Sequence, residues 1–201
     1  MKYKWILFCP QLPATPSSPR VMIWRRMHSS GSVGLDNGLW ILPFSEKATQ
    51  FIQEMKTYVL GQNGACRTFL TNAFDEETEA DILMRFRHDR AEEYYEFKEQ
   101  CVDFLAEIEK ETKRKNFSFA EYEENEQDLE KLEVWFNKVQ ARDFSGGDPA
   151  EEAAGWLEKC RQALLGFADE VIANENSQHP GTAASRIPDS SIPPVKSDQN
   201  E

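Results

Sequence analysis

The stretch KYKWILFCPQLPATPSSPRVMIWRRMHSSGSVGLDNGLWILP, residues 2–43, sets an apolar strand, a basic helix and a hairpin in direct succession. Tyr3 to Cys9 is an aromatic and aliphatic run halted by Pro10 and Pro13, which suits a central strand buried on both faces. Ser18-Pro19 then starts a helix, because a serine oxygen accepts an early amide and proline's fixed φ costs nothing at the first helical position. That helix carries Arg20, Val21, Ile23, Trp24, Arg25, Arg26 and Met27 before Gly31 ends it. Val33 to Leu35 and Leu39 to Leu42 flank Asp36-Asn37-Gly38, where Asn-Gly accepts the positive φ values of a type I′ hairpin turn.

Working outward, Ser45 caps a second helix with Glu46 in its first turn, and Ala48, Phe51, Ile52, Met55 and Val59 follow helical spacing. The glycines at 61 and 64 close it, and residues 65–74 alternate as a strand. The order β-α-β-β-α-β over residues 1–75 is the ferredoxin-like pattern, with both helices on one face of an antiparallel sheet. Its other face must then be covered by the C-terminal helices or by a second subunit. Over residues 76–175 three apolar stripes recur: Tyr94, Phe97, Cys101, Phe104 and Ile108; Leu129, Leu132, Phe136 and Val139; Leu157, Cys160, Leu164, Phe167 and Val171. Short turns between them predict an antiparallel three-helix bundle. Residues 176–201 are too polar to bury a core and read as a disordered tail. The expected class is therefore α+β, a ferredoxin-like βαββαβ sheet followed by a helical bundle.

Charge divides along the same line. Residues 1–74 hold eight basic against three acidic side chains, a balance of +5 that leaves −17 for the rest of a chain whose net charge is −12. A head of one sign and a body of the other orients the chain toward a phosphate backbone or an oxyanion. No apolar run reaches the 18 residues a membrane span needs, and the N-terminal run is too short for a secretory signal, so a cytoplasmic protein without a membrane partner is expected. Cys9, Cys66, Cys101 and Cys160 lie far apart without a Cys-x-x-Cys pair, which favours reduced packing thiols over zinc or disulfides.

The inventory of catalytic patterns is empty. His28, His88 and His179 do not converge with a nucleophile and an acid, and there is no phosphate loop, dinucleotide fingerprint or His-Glu-x-x-His. The carboxylates between Glu76 and Glu133 read as solvated helix faces. This argues for binding without catalysis and without a cofactor. Arg20, Arg25 and Arg26 are the candidate binding residues for DNA or an oxyanion, with Ser17, Ser18 and the free amides of the helix start beside them. The competing reading pairs these arginines with acids of the helical region.

The strand ending in Leu12-Pro13, then Pro-Ser-Ser-Pro-Arg20, Val21, Trp24-Arg25 and Gly38-Leu39-Trp40-Ile41-Leu42-Pro43, resembles the N-terminal domain of the chromate-resistance regulator family ChrB. The likeness continues through Arg142-Asp143-Phe144 and covers residues 3–172. It implies a transcriptional regulator of chromate resistance that acts as a homodimer, meets DNA through its basic part and has chromate as effector. The β-α-β-β-α-β order is also similar to that of the small CRISPR-associated nucleases and of the central domain of PaaX-type repressors. Those nucleases hold a metal with an aspartate at the end of the first strand, where this chain has Phe8-Cys9-Pro10-Gln11. Two alternatives stand beside the regulator: an interaction module presenting an acidic helical surface, and a chromate-handling enzyme whose reactive thiol would be Cys9.

Overall fold

A computed structural model of the chain describes residues 3–178. It is an α+β protein. The elements are β1 (Trp5–Gln11), α1 (Ser18–Ser29), β2 (Val33–Gly34), β3 (Trp40–Pro43), α2 (Glu46–Gly61), β4 (Ala65–Thr71), α3 (Glu76–Arg114), α4 (Phe119–Gln140) and α5 (Asp148–Gln178). The four strands form one antiparallel sheet in the order β2-β3-β1-β4. The segment read as a disordered tail lies, from residue 179 onward, outside the described residues, and 176–178 are the last residues of α5.

Local chemistry accounts for most boundaries. Asn37 (φ 59°) and Gly38 (φ 74°) take the left-handed conformations that Asn-Gly tolerates best, and the chain doubles back so that Val33 pairs with Ile41. Ser45 accepts a hydrogen bond from the Ala48 amide to start α2, Asp75 one from Thr78 to start α3, and Ser118 one from Glu121 to start α4.

Pro10 does not stop β1, which runs through it to Gln11. The register supplies the reason. On one side β3 pairs only with Trp5 to Phe8, while on the other β4 pairs all the way from Trp5 to Gln11. Beyond Phe8 the strand has a single neighbour, so proline's missing N–H falls where no ladder bond is required.

The sheet is covered on both faces. Ile6, Phe8, Trp40 and Leu42 meet Ile23 and Met27 of α1 and Ile52, Met55 and Val59 of α2. On the opposite face Trp5, fully buried, stacks on Phe86 of α3 (centroids 5.6 Å, 14° between planes). Phe144, from the loop between α4 and α5, meets both rings edge-on. Of the two covers expected, the C-terminal helices supply this one. α3 has 39 residues, about 58 Å at 1.5 Å per residue, and its inner stripe passes without a break from the sheet into the helical body. There Tyr94, Phe97, Cys101, Phe104 and Ile108 join Leu132, Phe136 and Val139 of α4 and Leu157, Cys160, Leu164, Phe167 and Val171 of α5 in one core. Cys101 and Cys160 are buried free thiols of that core, and the Cys101 thiol is pushed up by its contact with Cys160 and by burial.

The same stripe carries three charged residues, so not every acid of this region is a solvated one. Glu79, Arg90 and Glu111 are buried at positions three or four residues from apolar members of the stripe. Glu111 accepts from Asn116 at 2.7 Å and from Arg114 at 3.1 Å. The Asn116 amide above all, with Arg114 and Lys110 behind it, holds this carboxyl below its usual value of 4.5. A carboxyl depressed in the folded state contributes stability that is present above the unfolded value and is lost as pH falls through the folded one. The urea midpoint should thus decline on acidification below about pH 4.5, and less steeply in Glu111→Gln than in the wild type. Equal slopes for the two proteins would refute this.

Candidate functional site

α1 lies on the sheet through Pro19, Ile23 and Met27, which recur every four residues. The rest of the cylinder is open, and Arg20, Val21, Trp24, Arg25 and Arg26 are exposed. At 100° per residue the three arginines fan out: Arg25 points away from the sheet, with Arg20 and Arg26 on opposite flanks. None of the ion pairs among the described residues involves them. The reading that tied them to acids of the body is not what the structure shows.

The helix start differs from the expected cap. Ser18 is already helical, and Ser17 at the boundary has helical dihedrals (φ −79°, ψ −19°) and makes no side-chain cap. Instead its carbonyl accepts from the Arg20 and Val21 amides, both at 3.1 Å, and Pro19 has no N–H to offer. The Arg20 guanidinium turns back to the Ala14 carbonyl at 2.7 Å. Few free donors therefore remain where the sequence placed an anion cradle, and α1 offers separate cations rather than a cup.

Beside α1 runs a cleft of about 450 Å³ lined by Trp24, His28, Trp40, Arg85, His88 and Asp89. Trp24, 55% exposed, sits against His28 (4.3 Å), which in turn meets Trp40 edge-on (5.3 Å). On the α3 side Arg85 pairs with Asp81 and His88 with Glu92. Sequence reading missed this cleft because its walls come from α1, the hairpin and α3, which only the fold brings together.

A second junction lies where the helical body meets the head. Gly31 (φ +78°) is buried against Arg142, and a Cβ there would stand 2.8 Å from the Arg142 Cβ and carbonyl oxygen, so the contact requires glycine. The Arg142 Nε and Nη2 donate to Glu93 Oε2 at 3.0 and 2.8 Å, and Arg90 Nη1 donates to the same oxygen at 3.0 Å. Asp143 accepts from Tyr94 Oη, from Ser145 N and Oγ, and from Gly146 N. Burial first, and the Asp143 carboxylate second, push the Tyr94 hydroxyl up, so it stays a donor. Phe144 completes the series against Tyr3, Trp5 and Phe86. Three consecutive residues thus join loop, helix and sheet, and Arg142-Asp143-Phe144 is a structural keystone. The two other half-exposed thiols, Cys9 and Cys66, sit on neighbouring strands but on opposite sheet faces. Among the described residues no cluster of His, Cys, Asp and Glu is arranged to hold a metal ion, and no helix is long and apolar enough to cross a membrane.

No solved structure matches the chain. A curated relative, Protein ChrB of Cupriavidus metallidurans, is 28% identical over 93 residues, which is 46% of this chain and 28% of that protein. The chain thus covers well under two thirds of the curated relative's length. The family described as Protein ChrB, N-terminal, matches residues 20–178, from the first arginine of α1 to the end of α5. With the arginines of α1, the hairpin and the keystone all inside the matched span, the chain belongs to the ChrB N-terminal family.

Proposed function

We propose that this chain is a non-catalytic, chromate-resistance-associated transcriptional regulator that meets duplex DNA through the solvent face of α1, with chromate as its effector. The observation that carries the reading is that Arg20, Arg25 and Arg26 stand exposed and outside every ion pair of the described residues, in a chain with 35 acidic side chains. Guanidiniums outside ion pairs on one helix supply phosphate contacts, and the acidic body keeps the opposite end away from the duplex.

Strand order, with α1 and α2 on one face, supports a ferredoxin-like head, and the shared core of α3, α4 and α5 supports an antiparallel bundle. A homodimer is the working assembly. Among the described residues β4 pairs only with β1, which leaves its outer edge open, and Phe69 and Leu70 on it are 53% and 58% exposed. A two-fold copy would place two α1 helices on a palindromic operator.

Gel shifts across a salt series test this reading. The wild type should bind operator fragments with an affinity that falls steeply with salt, and the Arg20, Arg25, Arg26 to alanine variant should bind weakly, with a salt slope shallower by about 2–3. Absence of DNA binding by the folded protein at low salt would remove the proposal. The interaction-module reading is favoured by exposed Tyr95, Val134, Leu165 and Ile172 on the body. It requires the triple variant to behave as the wild type.

A further inference from the structure

The cleft between α1, the hairpin and α3 lies at the end of the sheet that β2 forms, and its 450 Å³ is the size of an ordinary small-molecule site. One wall is aromatic. Trp24 and His28 stand one helical turn apart on α1 with their rings at 4.3 Å, and His28 meets Trp40 edge-on at 5.3 Å. Trp40 is thereby fixed and only 7% exposed, whereas Trp24 is 55% exposed on the rim. Leu35 and Leu39, both half-buried, add apolar surface from the hairpin. Gly34 leaves the cleft unobstructed: a Cβ there would meet only the Trp40 ring, at 3.6 Å, so the backbone would accept a side chain that this chain does not place.

The opposite wall belongs to α3 and is acidic in balance. Arg85 is answered by Asp81 at 3.2 Å, and His88 stands against Glu92 at 3.4 Å. Asp89 has no such partner. It is half-buried on the lining and takes no hydrogen bond or ion pair among the described residues, yet its oxygens are not sealed from solvent. With the histidines uncharged, this wall sets one cation, Arg85, against three anions, Asp81, Asp89 and Glu92. On the α1 side Arg20, one turn before Trp24, is drawn off to the Ala14 carbonyl at 2.7 Å.

These walls select by charge. An anion would meet the surplus of carboxylates, and a neutral occupant would strip water from Asp89 and return nothing for it. A positive group does neither, and the face of an indole attracts it as well. We propose that the cleft binds a small organic ammonium ion, its charged head between the Trp24 ring and the Asp89 carboxylate and its apolar part against Leu35 and Leu39. The site goes beyond DNA binding by the arginines of α1 and is tested without DNA.

The probe is choline, compared with 3,3-dimethylbutan-1-ol, which has the same shape with carbon in place of the charged nitrogen. Each is titrated into the full-length chain and read by the indole N–H resonances, that of Trp24 being assigned by its loss in Trp24→Leu and that of buried Trp5 serving as control. Choline should move the Trp24 resonance saturably and leave Trp5 in place, and the neutral alcohol should bind at least about tenfold more weakly. Asp89→Asn should weaken choline about fivefold, and Trp24→Leu, followed by the Trp40 resonance, by a similar factor. Gly34→Leu, which fills the cleft from an exposed position, should abolish the shift. The proposal is overturned if choline produces no saturable shift at Trp24, or if the neutral alcohol binds as tightly as choline. It is equally overturned if Asp89→Asn and Gly34→Leu bind choline like the wild type.

Discussion

Glu93→Gln should lower the free energy of unfolding by about 3 kcal/mol, the low end of what is lost when one member of a buried ion pair is removed. Two guanidiniums depend on this carboxylate: Arg90, almost fully buried, and Arg142, whose Nε and Nη2 both donate to its Oε2. Glutamine keeps the shape and one acceptor oxygen but removes the charge, so the Arg90 cation stays in place with only a neutral partner. The low end applies because Glu93 is itself a quarter exposed, at 26%, and water screens part of the loss. Urea unfolding followed by circular dichroism measures the effect, and a change below about 1 kcal/mol would show that the network is ornamental. A further prediction separates charge from packing: Arg90→Met, Glu93→Leu and Arg142→Met together should recover much of the loss, since a whole buried ionic set can be replaced by apolar groups where a single member cannot.

Trp5→Ala should cost about 4 kcal/mol, within the range for emptying a large aromatic site in a packed core. The indole is fully buried, stacks on Phe86 and receives the edge of Phe144, so the space it leaves opens between the sheet, α3 and the loop before α5. Collapse to fill that space is opposed from three sides. Phe86 belongs to a helix that continues into the body, and loosening of the sheet face should therefore reach the bundle as a loss of cooperativity, visible as a lower denaturant slope. Trp5→Phe supplies the contrast. It keeps most of the stack and removes an indole N–H that has no acceptor among the described residues, so its cost should stay below about 1.5 kcal/mol. Similar losses in the two variants would mean that the ring's shape, not its bulk, holds the junction.

What could be read in advance follows from the range of the interactions involved. The turn at Asn37-Gly38 and the Ser45 cap depend on residues within four positions of one another, and the apolar stripes of α3, α4 and α5 on a period set by the helix itself. Pro10 could not be placed this way. Whether a proline breaks a strand depends on which side has a partner, and that is a matter of how far β3 extends along β1. Ser17 likewise sits where a cap belongs, yet its dihedrals keep the hydroxyl from the amides.

The charged members of the α3 stripe were the legible signal that went unread. Glu79, Arg90 and Glu111 keep the same three-and-four spacing as Ile82, Phe86 and Ile108, and a charge on an apolar stripe points to a buried partner. The partner itself is another matter, because Arg90 and Arg142 are joined through Glu93 across 49 residues of chain. By sequence alone, this protein's helices, strands, hairpin, charge division and family likeness are determined, since each rests on local periodicity, turn chemistry or residue order. Only the tertiary structure decides that the three arginines of α1 stand outside the ion pairs of the described residues, that Arg142-Asp143-Phe144 joins head to body, and that Arg90 and Arg142 share the Glu93 carboxylate. Those facts depend on distances between segments far apart in the chain, which no spacing along it encodes.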